Sequence, residues 1–260
     1  MTDIHEQITD LLKQLHMPTV RRCYEQVADQ SRSESSSHEQ YLLELLKLEC
    51  DVRRQNRIAR NLRNSKLPPS KTFANFDKKR LPQKVVAHLN VLTDGSFLKR
   101  SENVLAFGNP GSGKTHLLCA IGHELIDQGK RIFFISCSQL VQDLLLAKRD
   151  LAMAKILKKL SNYDAIIVDD IGYVQQSRQE MEVLFTFLAD RYERGSLMIT
   201  SHLPFSKWEQ IFKDPMTATA AIDRLVHHSV ILELNIASYR MEQARKTNHD
   251  KIDGGADETA

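Results

Sequence analysis

The eight residues Gly108-Asn109-Pro110-Gly111-Ser112-Gly113-Lys114-Thr115 constrain this chain more than any other stretch. They match G-x-x-x-x-G-K-[ST] at every fixed position, after an apolar run at 104–107 and before a helical pattern at 116–126. Glycines at these spacings let the backbone wrap with its N–H groups facing inward, and the start of a helix adds a favourable dipole, so the loop is suited to cradling phosphates. In such a P-loop, Lys114 reaches the β- and γ-phosphates and the Thr115 hydroxyl holds Mg²⁺. ATP and Mg²⁺ are therefore the expected ligands, with Gly108, Asn109, Pro110, Gly111, Ser112, Gly113, Lys114, Thr115 and the adjoining His116 as the nucleotide-binding set.

A second motif matches the first. Tyr163-Asp164-Ala165-Ile166-Ile167-Val168-Asp169-Asp170 reads as a buried strand that delivers carboxylates to the sheet edge beside the phosphates, a Walker B motif. Asp169 is expected to orient Mg²⁺ and Asp170 to activate the attacking water. Asp169 follows Lys114 by 55 positions, with room for another strand at 132–135, so the two motif strands are not expected to be sheet neighbours. The run Leu197-Met198-Ile199-Thr200-Ser201-His202 reads as a strand ending in polar groups. Thr200, Ser201 or His202 is placed to contact the γ-phosphate or the attacking water. The alternative is a strand-end hydrogen bond for the first two and a surface position for His202. Arg224, in a helical stretch before the strand at 229–234, is the candidate to reach into a neighbouring subunit's ATP site; the plain alternative is a surface arginine. The candidate catalytic set is thus Lys114, Asp169, Asp170, His202 and Arg224, with Thr115 and Asp169 at the metal.

Five short apolar runs (103–107, 132–135, 165–168, 197–200 and 230–234) alternate with helical stretches. This is the signature of an α/β domain with a five-stranded parallel sheet flanked by helices. Residues 4–66 read instead as helices. Ile8, Leu11, Leu12 and Leu15 follow i, i+3, i+4, i+7 spacing, ended near Pro18. A polar loop is expected at 31–37, with Ser37 capping the next helix and Gln40 at its N3 position. Leu67-Pro68-Pro69-Ser70 breaks that helix. The expected organisation is a small all-α domain over 1–66, a linker over 67–72, an ATPase domain over 73–246 and a disordered polar tail over 247–260. About 65 residues support only a marginal core, so the helical piece is expected to lean on a partner.

No stretch approaches the roughly 20 apolar residues needed to cross a bilayer, and the acidic, polar start MTDIHEQITD does not read as a signal peptide. Cys23, Cys50, Cys119 and Cys137 are far apart with no CxxC pair, so they are expected to be reduced thiols of a cytoplasmic protein. The net charge is only +3, but residues 52–84 carry eleven Lys/Arg against one acid, Asp77. A block this one-sided attracts phosphate backbones or forms a solvated helix face. Arg53, Arg57 and Arg60 share a helical face, with Arg54 beside them. Lys148, Arg149, Lys155, Lys158 and Lys159 form a second basic patch.

Residues 72–240 resemble the IstB-like helper ATPases of bacterial insertion sequences and, more distantly, the DnaC-type helicase loaders, in the initiator-like branch of AAA+ proteins. The match is carried by Thr72-Phe73-Ala74-Asn75-Phe76-Asp77, the P-loop, Ile167-Val168-Asp169-Asp170-Ile171-Gly172-Tyr173, Thr200-Ser201-His202-Leu203-Pro204-Phe205-Ser206-Lys207-Trp208, Asp223-Arg224-Leu225 and Ser238-Tyr239-Arg240. The resemblance implies an ATPase that assembles as a homo-oligomeric ring or spiral on double-stranded DNA with little sequence preference, and that recruits and stimulates a cognate transposase. A helicase loader is the alternative. A small-molecule P-loop kinase finds no support in the sequence. The same resemblance makes Asp170 the catalytic acid and Arg224 the trans finger. It puts Phe73 and Phe76 near the adenine, where anchoring of the linker to the core is the competing role. It implies DNA contacts at both basic patches. Two departures stand out: His202 replaces the usual Asn at the first sensor position, and only 26 residues follow Leu234. The lid is therefore expected to be absent or truncated, with Arg240 the candidate for a shortened second sensor.

Overall fold

The computed structural model describes residues 3–172, 177–204, 207–208, 215–239 and 241–242, without the side chains of 215–218, 221 and 224. Tyr173, Phe205, Ser206, Arg240 and the tail at 247–260 lie outside the described residues, as does the side chain of Arg224. The chain divides into two compact units, Met1–Arg60 and Asn61–Ala260.

The first unit is helical: α1 (Ile4–Gln14), α2 (Pro18–Ser33) and the greater part of α3 (His38–Ser65). α1 ends at Gln14, ahead of Pro18 as expected, and Pro18 itself opens α2. It occupies the first helical position, where its missing N–H costs nothing. The chain reverses before it, with His16 in the left-handed region. The polar stretch at 31–37 becomes a loop only from Glu34. An Arg32–Asp29 ion pair and a Ser33 hydroxyl bond to the Gln30 carbonyl extend the last turn of α2. The expected cap of α3 is present: the Ser37 N–H donates to Gln40 Oε1 at 2.9 Å, and the Gln40 N–H to Ser37 Oγ at 3.2 Å. The core is small. Val20, Val27 and Leu45 are buried, with Leu12 and Tyr41 among the residues packed against them. Leu11 and Leu15, from the expected apolar face of α1, remain exposed.

A buried carboxylate compensates for this thin core. α2 has no side-chain cap of its own. Glu49, on α3 and only 3% exposed, accepts the Thr19 and Val20 N–H groups at 2.8 and 3.2 Å. It thereby satisfies orphan donors at the positive end of the α2 dipole. Arg53 donates to the other Glu49 oxygen at 2.7 Å and also bonds the His16 carbonyl. Burial pushes the Glu49 carboxyl up, but the bonds from Arg53, Val20 and Thr19 outweigh it, and the net shift is below the ordinary value.

In the second unit five parallel strands, β1 (Asn103–Gly108), β2 (Ile132–Ser136), β3 (Ala165–Ile171), β4 (Ser196–Ser201) and β5 (Ser229–Leu234), form a sheet of order β2-β3-β4-β1-β5. All five fall on the expected runs, and β4 separates the P-loop strand from the Walker B strand as the spacing required. Helices α4 (Gln83–Asp94) and α6 (Lys114–Asp127) pack on one face, with the short α5 (Ser96–Lys99) between them in sequence. Helices α7 (Cys137–Arg149), α8 (Met153–Leu160), α9 (Arg178–Arg191) and α10 (Pro215–Val226) belong to the other side. Strand alternation sorts the core. Leu105, Ile166, Val168, Leu197 and Ile199 face the α7 and α9 side. Ile132 and Ile167 meet α6 at Gly122, where an added Cβ would lie 3.5 and 3.1 Å from their side chains.

Two buried polar side chains brace the sheet. Asn103 accepts the Leu197 N–H at 2.9 Å and donates to the Leu225 carbonyl at 3.1 Å, pinning the end of α10 to β1 and β4. Arg191 donates to the Tyr163 and Ser196 carbonyls, both at 3.1 Å, where β3 and β4 begin. Burial lowers its guanidinium to about 10, which still leaves it charged at neutral pH. No helix among the described residues is long and apolar enough to cross a membrane.

A lowered native pKa means that Glu49 stabilises the fold above its unfolded value, and that this contribution is lost as pH falls through the native value. Glu49→Gln should destabilise α2 by about 1–3 kcal/mol near pH 7. The gap to wild type should begin to narrow only as pH falls below the ordinary glutamate value of about 4.3, and should close beneath the lower native value. Hydrogen exchange of α2 amides in the full chain, variant against wild type at each pH, measures this.

Candidate functional site

The P-loop leaves the end of β1 and enters α6 at Lys114. Its geometry depends on the absence of side chains at two points. Gly111 has φ 79°, and an added Cβ would collide with the Ser238 side chain. Gly113 has φ 91°, and a Cβ there would lie 3.2 Å from the Phe76 ring. Both require a left-handed backbone that glycine adopts without penalty. The loop is thus covered on two sides, by the segment after β5 and by the turn before α4. The Tyr239 N–H donates to the Gly111 carbonyl at 3.0 Å, which fixes the first of these covers.

Between them lies a cavity of about 430 Å³, a size suited to a small-molecule ligand. Its wall includes Gly111 to His116, Phe76, Asp170, His202 and Tyr239. Lys114 is only 6% exposed and donates to the Gly108 and Asn109 carbonyls at 2.9 Å each. Ser112 is buried, and its hydroxyl has no hydrogen-bond partner. Such an orphan inside a glycine cradle fits a phosphate oxygen. Thr115 Oγ1 donates to Asp169 Oδ1 at 2.7 Å, so the two expected metal residues meet even though their strands do not pair. A hydroxyl and a carboxylate are hard oxygen donors of the kind Mg²⁺ takes alongside phosphates and water. Among the described residues no cluster of three or more His, Cys, Asp or Glu forms a self-sufficient metal cage. The residues present therefore fit ATP and Mg²⁺. When bound, the metal would neutralise developing phosphate charge; Thr115 and Asp169 would hold it, while Lys114 and the loop N–H groups bind phosphate.

The polar end of β4 resolves into distinct environments. Thr200 is fully buried and donates to Asp169 Oδ1 at 2.7 Å. Ser201 is also buried; its hydroxyl bonds the Ile171 and Leu203 carbonyls at 3.1 and 3.0 Å, a strand-end role. His202 lies on the cavity wall. Trp208 is buried against Phe107 and donates to the Leu203 carbonyl at 3.1 Å, closing the turn that carries His202.

Phe76 and His116 lie together on the cavity, with ring centroids 5.0 Å apart, and His116 Nε2 is 2.9 Å from the Thr72 carbonyl oxygen. Phe73 meets Phe76 edge-on at 6.4 Å and carries the Lys78 ammonium over its face. Phe73 is not among the cavity-lining residues. Arg80 was not singled out by the sequence reading. It lines the cavity, pairs with Glu242 at 2.7 Å and lies over the Tyr239 ring. Only its place in the basic block was visible, because both partners follow β5 more than 150 residues later.

The basic patches differ in availability. Arg54, Arg57 and Arg60 are exposed on α3, whereas Arg53 is engaged with Glu49 and His16. Lys148 pairs with Glu182 at 2.9 Å and Arg149 with Asp150 at 3.0 Å. Lys155, Lys158 and Lys159 are exposed on α8. The backbone of Arg224 lies in α10, the helix whose end Asn103 holds.

The sheet order, the P-loop and the carboxylate at the end of β3 define a P-loop AAA+ ATP-binding protein. The fold is shared with the AMPPCP-bound DnaA from Aquifex aeolicus (TM-score 0.56, 16% identity, 70% of this chain and 56% of that one). It is also shared with DnaI (TM-score 0.54, 18% identity, 65% and 95%). Within that class the chain belongs to the IstB-like ATP binding protein family, which it matches over residues 10–247. It is 37% identical to an insertion-sequence ATP-binding protein of Sinorhizobium fredii, over 96% of this chain and 86% of that protein. It is 35% identical to the IS21 ATP-binding protein of Pseudomonas aeruginosa, over 91% and 89%.

Lys114→Ala removes the one ammonium held inside the P-loop. The Kd for ATP, measured by titration with a fluorescent analogue, should rise by at least ~10- to 100-fold.

Proposed function

We propose that this chain is a DNA-stimulated ATPase that assembles on double-stranded target DNA as a ring or spiral and there recruits and stimulates a cognate transposase. The observation that carries this reading is the Thr115–Asp169 contact with Asp170 on the same cavity wall, in a chain similar along nearly its whole length to insertion-sequence ATP-binding proteins. With ATP and Mg²⁺ bound, Asp169 would orient the metal, Asp170 would accept the proton of the attacking water, and His202, just after β4, would stand on the wall beside the phosphates. Arg224 is the group a neighbouring subunit supplies, so hydrolysis requires assembly. Lys155, Lys158 and Lys159 on α8, and Arg54, Arg57 and Arg60 on α3, give exposed positive charge for phosphate contacts that carry little sequence information.

Anisotropy titration of a 20–30 bp duplex should show affinity falling steeply between low and moderate salt. Replacing Lys155, Lys158 and Lys159 with Ala should reduce the slope of log K against log salt by about one per lysine. Asp170→Asn should bind ATP and DNA but trap the assembled complex. Arg224→Ala should bind ATP as a single subunit yet lose DNA-stimulated phosphate release by about a thousandfold or more, the scale of a trans arginine. Wild-type turnover by Arg224→Ala in the assembled state would sink the finger assignment. Capture of a replicative helicase in place of a transposase would point to the loader alternative.

A further inference from the structure

Asp169 and Asp170 of β3 together face a single residue of β4. The register pairs Val168 with Ile199 and resumes with Ile171 opposite Ser201, so Thr200 alone stands across from the acidic pair. A bulge of this kind takes backbone groups out of the ladder, and here the displaced N–H has a specific acceptor. The Asp170 N–H donates to Thr200 Oγ1 at 2.8 Å. The same hydroxyl gives its own proton to Asp169 Oδ1 at 2.7 Å. A threonine hydroxyl has one proton to donate and lone pairs to accept with. Both capacities are used on two consecutive acids.

The bulge has a consequence for aim. Successive strand residues point to opposite faces, so an unbroken β3 would send Asp169 toward α6 and Asp170 toward α7 and α9. Instead Asp169 reaches Thr115 at the start of α6, Asp170 lines the nucleotide cavity, and Ile171 rejoins the core beside Val168. Asp170 achieves this with φ 58°, a left-handed conformation that a non-glycine residue holds only when its surroundings enforce it. Thr200 is fully buried and is not among the cavity-lining residues, so it addresses the acids from behind.

We propose that Thr200 is a positioning residue for the acidic pair: its hydroxyl holds the Asp169 carboxylate against Thr115 and locks the Asp170 backbone in the bulge that turns the second carboxylate into the cavity. This rests on the reading of Asp169 as the metal carboxylate and Asp170 as the water-activating one. Thr200 is then no phosphate sensor; it sets the geometry that the two acids present. Two hydroxyls, from Thr115 and Thr200, converge on the same carboxylate oxygen and stop the group from rotating.

The test compares Thr200→Val, which keeps shape and loses the hydroxyl, with Thr200→Ser, which keeps the hydroxyl. Four quantities are read in the full-length protein: amide exchange of the 165–172 segment without nucleotide, ATP affinity in EDTA, the Mn²⁺ half-saturation with ATP present, and kcat on DNA. Thr200→Val should exchange faster at Asp170 and bind ATP normally in EDTA. It should lose Mn²⁺ affinity and kcat by about 10- to 100-fold each, the scale of one unsatisfied buried donor. Thr200→Ser should restore all of these. Wild-type exchange or Mn²⁺ half-saturation in Thr200→Val overturns the proposal. So does an equal loss of metal-free ATP affinity, or a serine variant that fails to rescue. If the wild-type protein turns over no ATP even on DNA, the ATPase reading fails, and the exchange and Mn²⁺ measurements still decide the role of Thr200.

Discussion

A parallel sheet holds neighbouring strands about 4.8 Å apart, and β4 lies between β1 and β3. The P-loop and the Walker B carboxylate thus begin roughly two strand spacings apart. The rest of the site is arranged around closing that gap. The P-loop folds back over the sheet edge, and the first turn of α6 brings the Thr115 hydroxyl to 2.7 Å from Asp169. The intervening strand contributes Thr200, which reaches the same carboxylate from the other side. Strand order supplies the separation, and two hydroxyls span it.

Stability of the second unit follows from the same layering. The strands bury apolar side chains on both faces, and two of the polar side chains that share this interior reach backbone partners. Asn103 ties β4 to α10, and Arg191 gathers carbonyls where β3 and β4 begin. The first unit lacks such a reserve, with three buried apolar side chains in its core among the described residues. It relies on a carboxylate from α3 to complete the start of α2. Opposite strategies thus serve a large core and a small one: polar bracing added to apolar burial in one, and polar capping in place of it in the other.

Much of this was legible in the sequence because it is local. The P-loop, the five apolar runs, the Ser37–Gln40 cap and the non-adjacency of the motif strands each depend on residue type and spacing within a short window or on simple counting. What escaped depends on partners far away in sequence. Glu49 caps a helix 30 residues earlier, and Arg80 meets Glu242 across 162. Pro18 marked the end of α1, but that it also opens α2 was not visible, because a proline is compatible with a helix end and a helix start alike and only packing decides between them. Leu11 and Leu15 follow a helical repeat yet stay exposed, because periodicity marks an apolar face without supplying a surface to cover it. The polar end of β4 offered Thr200, Ser201 and His202, with a strand-end bond as the alternative for the first two and a surface position for the third. Burial and hydrogen bonding separated them into a residue behind the acids, a strand-end tie and a cavity wall.

The bulge in β3 also makes this part of the chain a matter of parity. Val168 and Ile171 both belong to the core on the α7 and α9 side, with two residues between them where an even strand would allow one. Deleting either acid would restore regular alternation and leave the core in phase, but with one carboxylate fewer at the site. Inserting a residue beside the pair would leave three between Val168 and Ile171, again in phase on a regular strand, but would set all three against the single residue Thr200 of β4. Substitution at Asp169 or Asp170 keeps the spacing, whereas a change of length by one removes the odd residue on which the bulge depends and returns the pair to strand alternation. The acidic pair is therefore held in place by arithmetic as well as by hydrogen bonds.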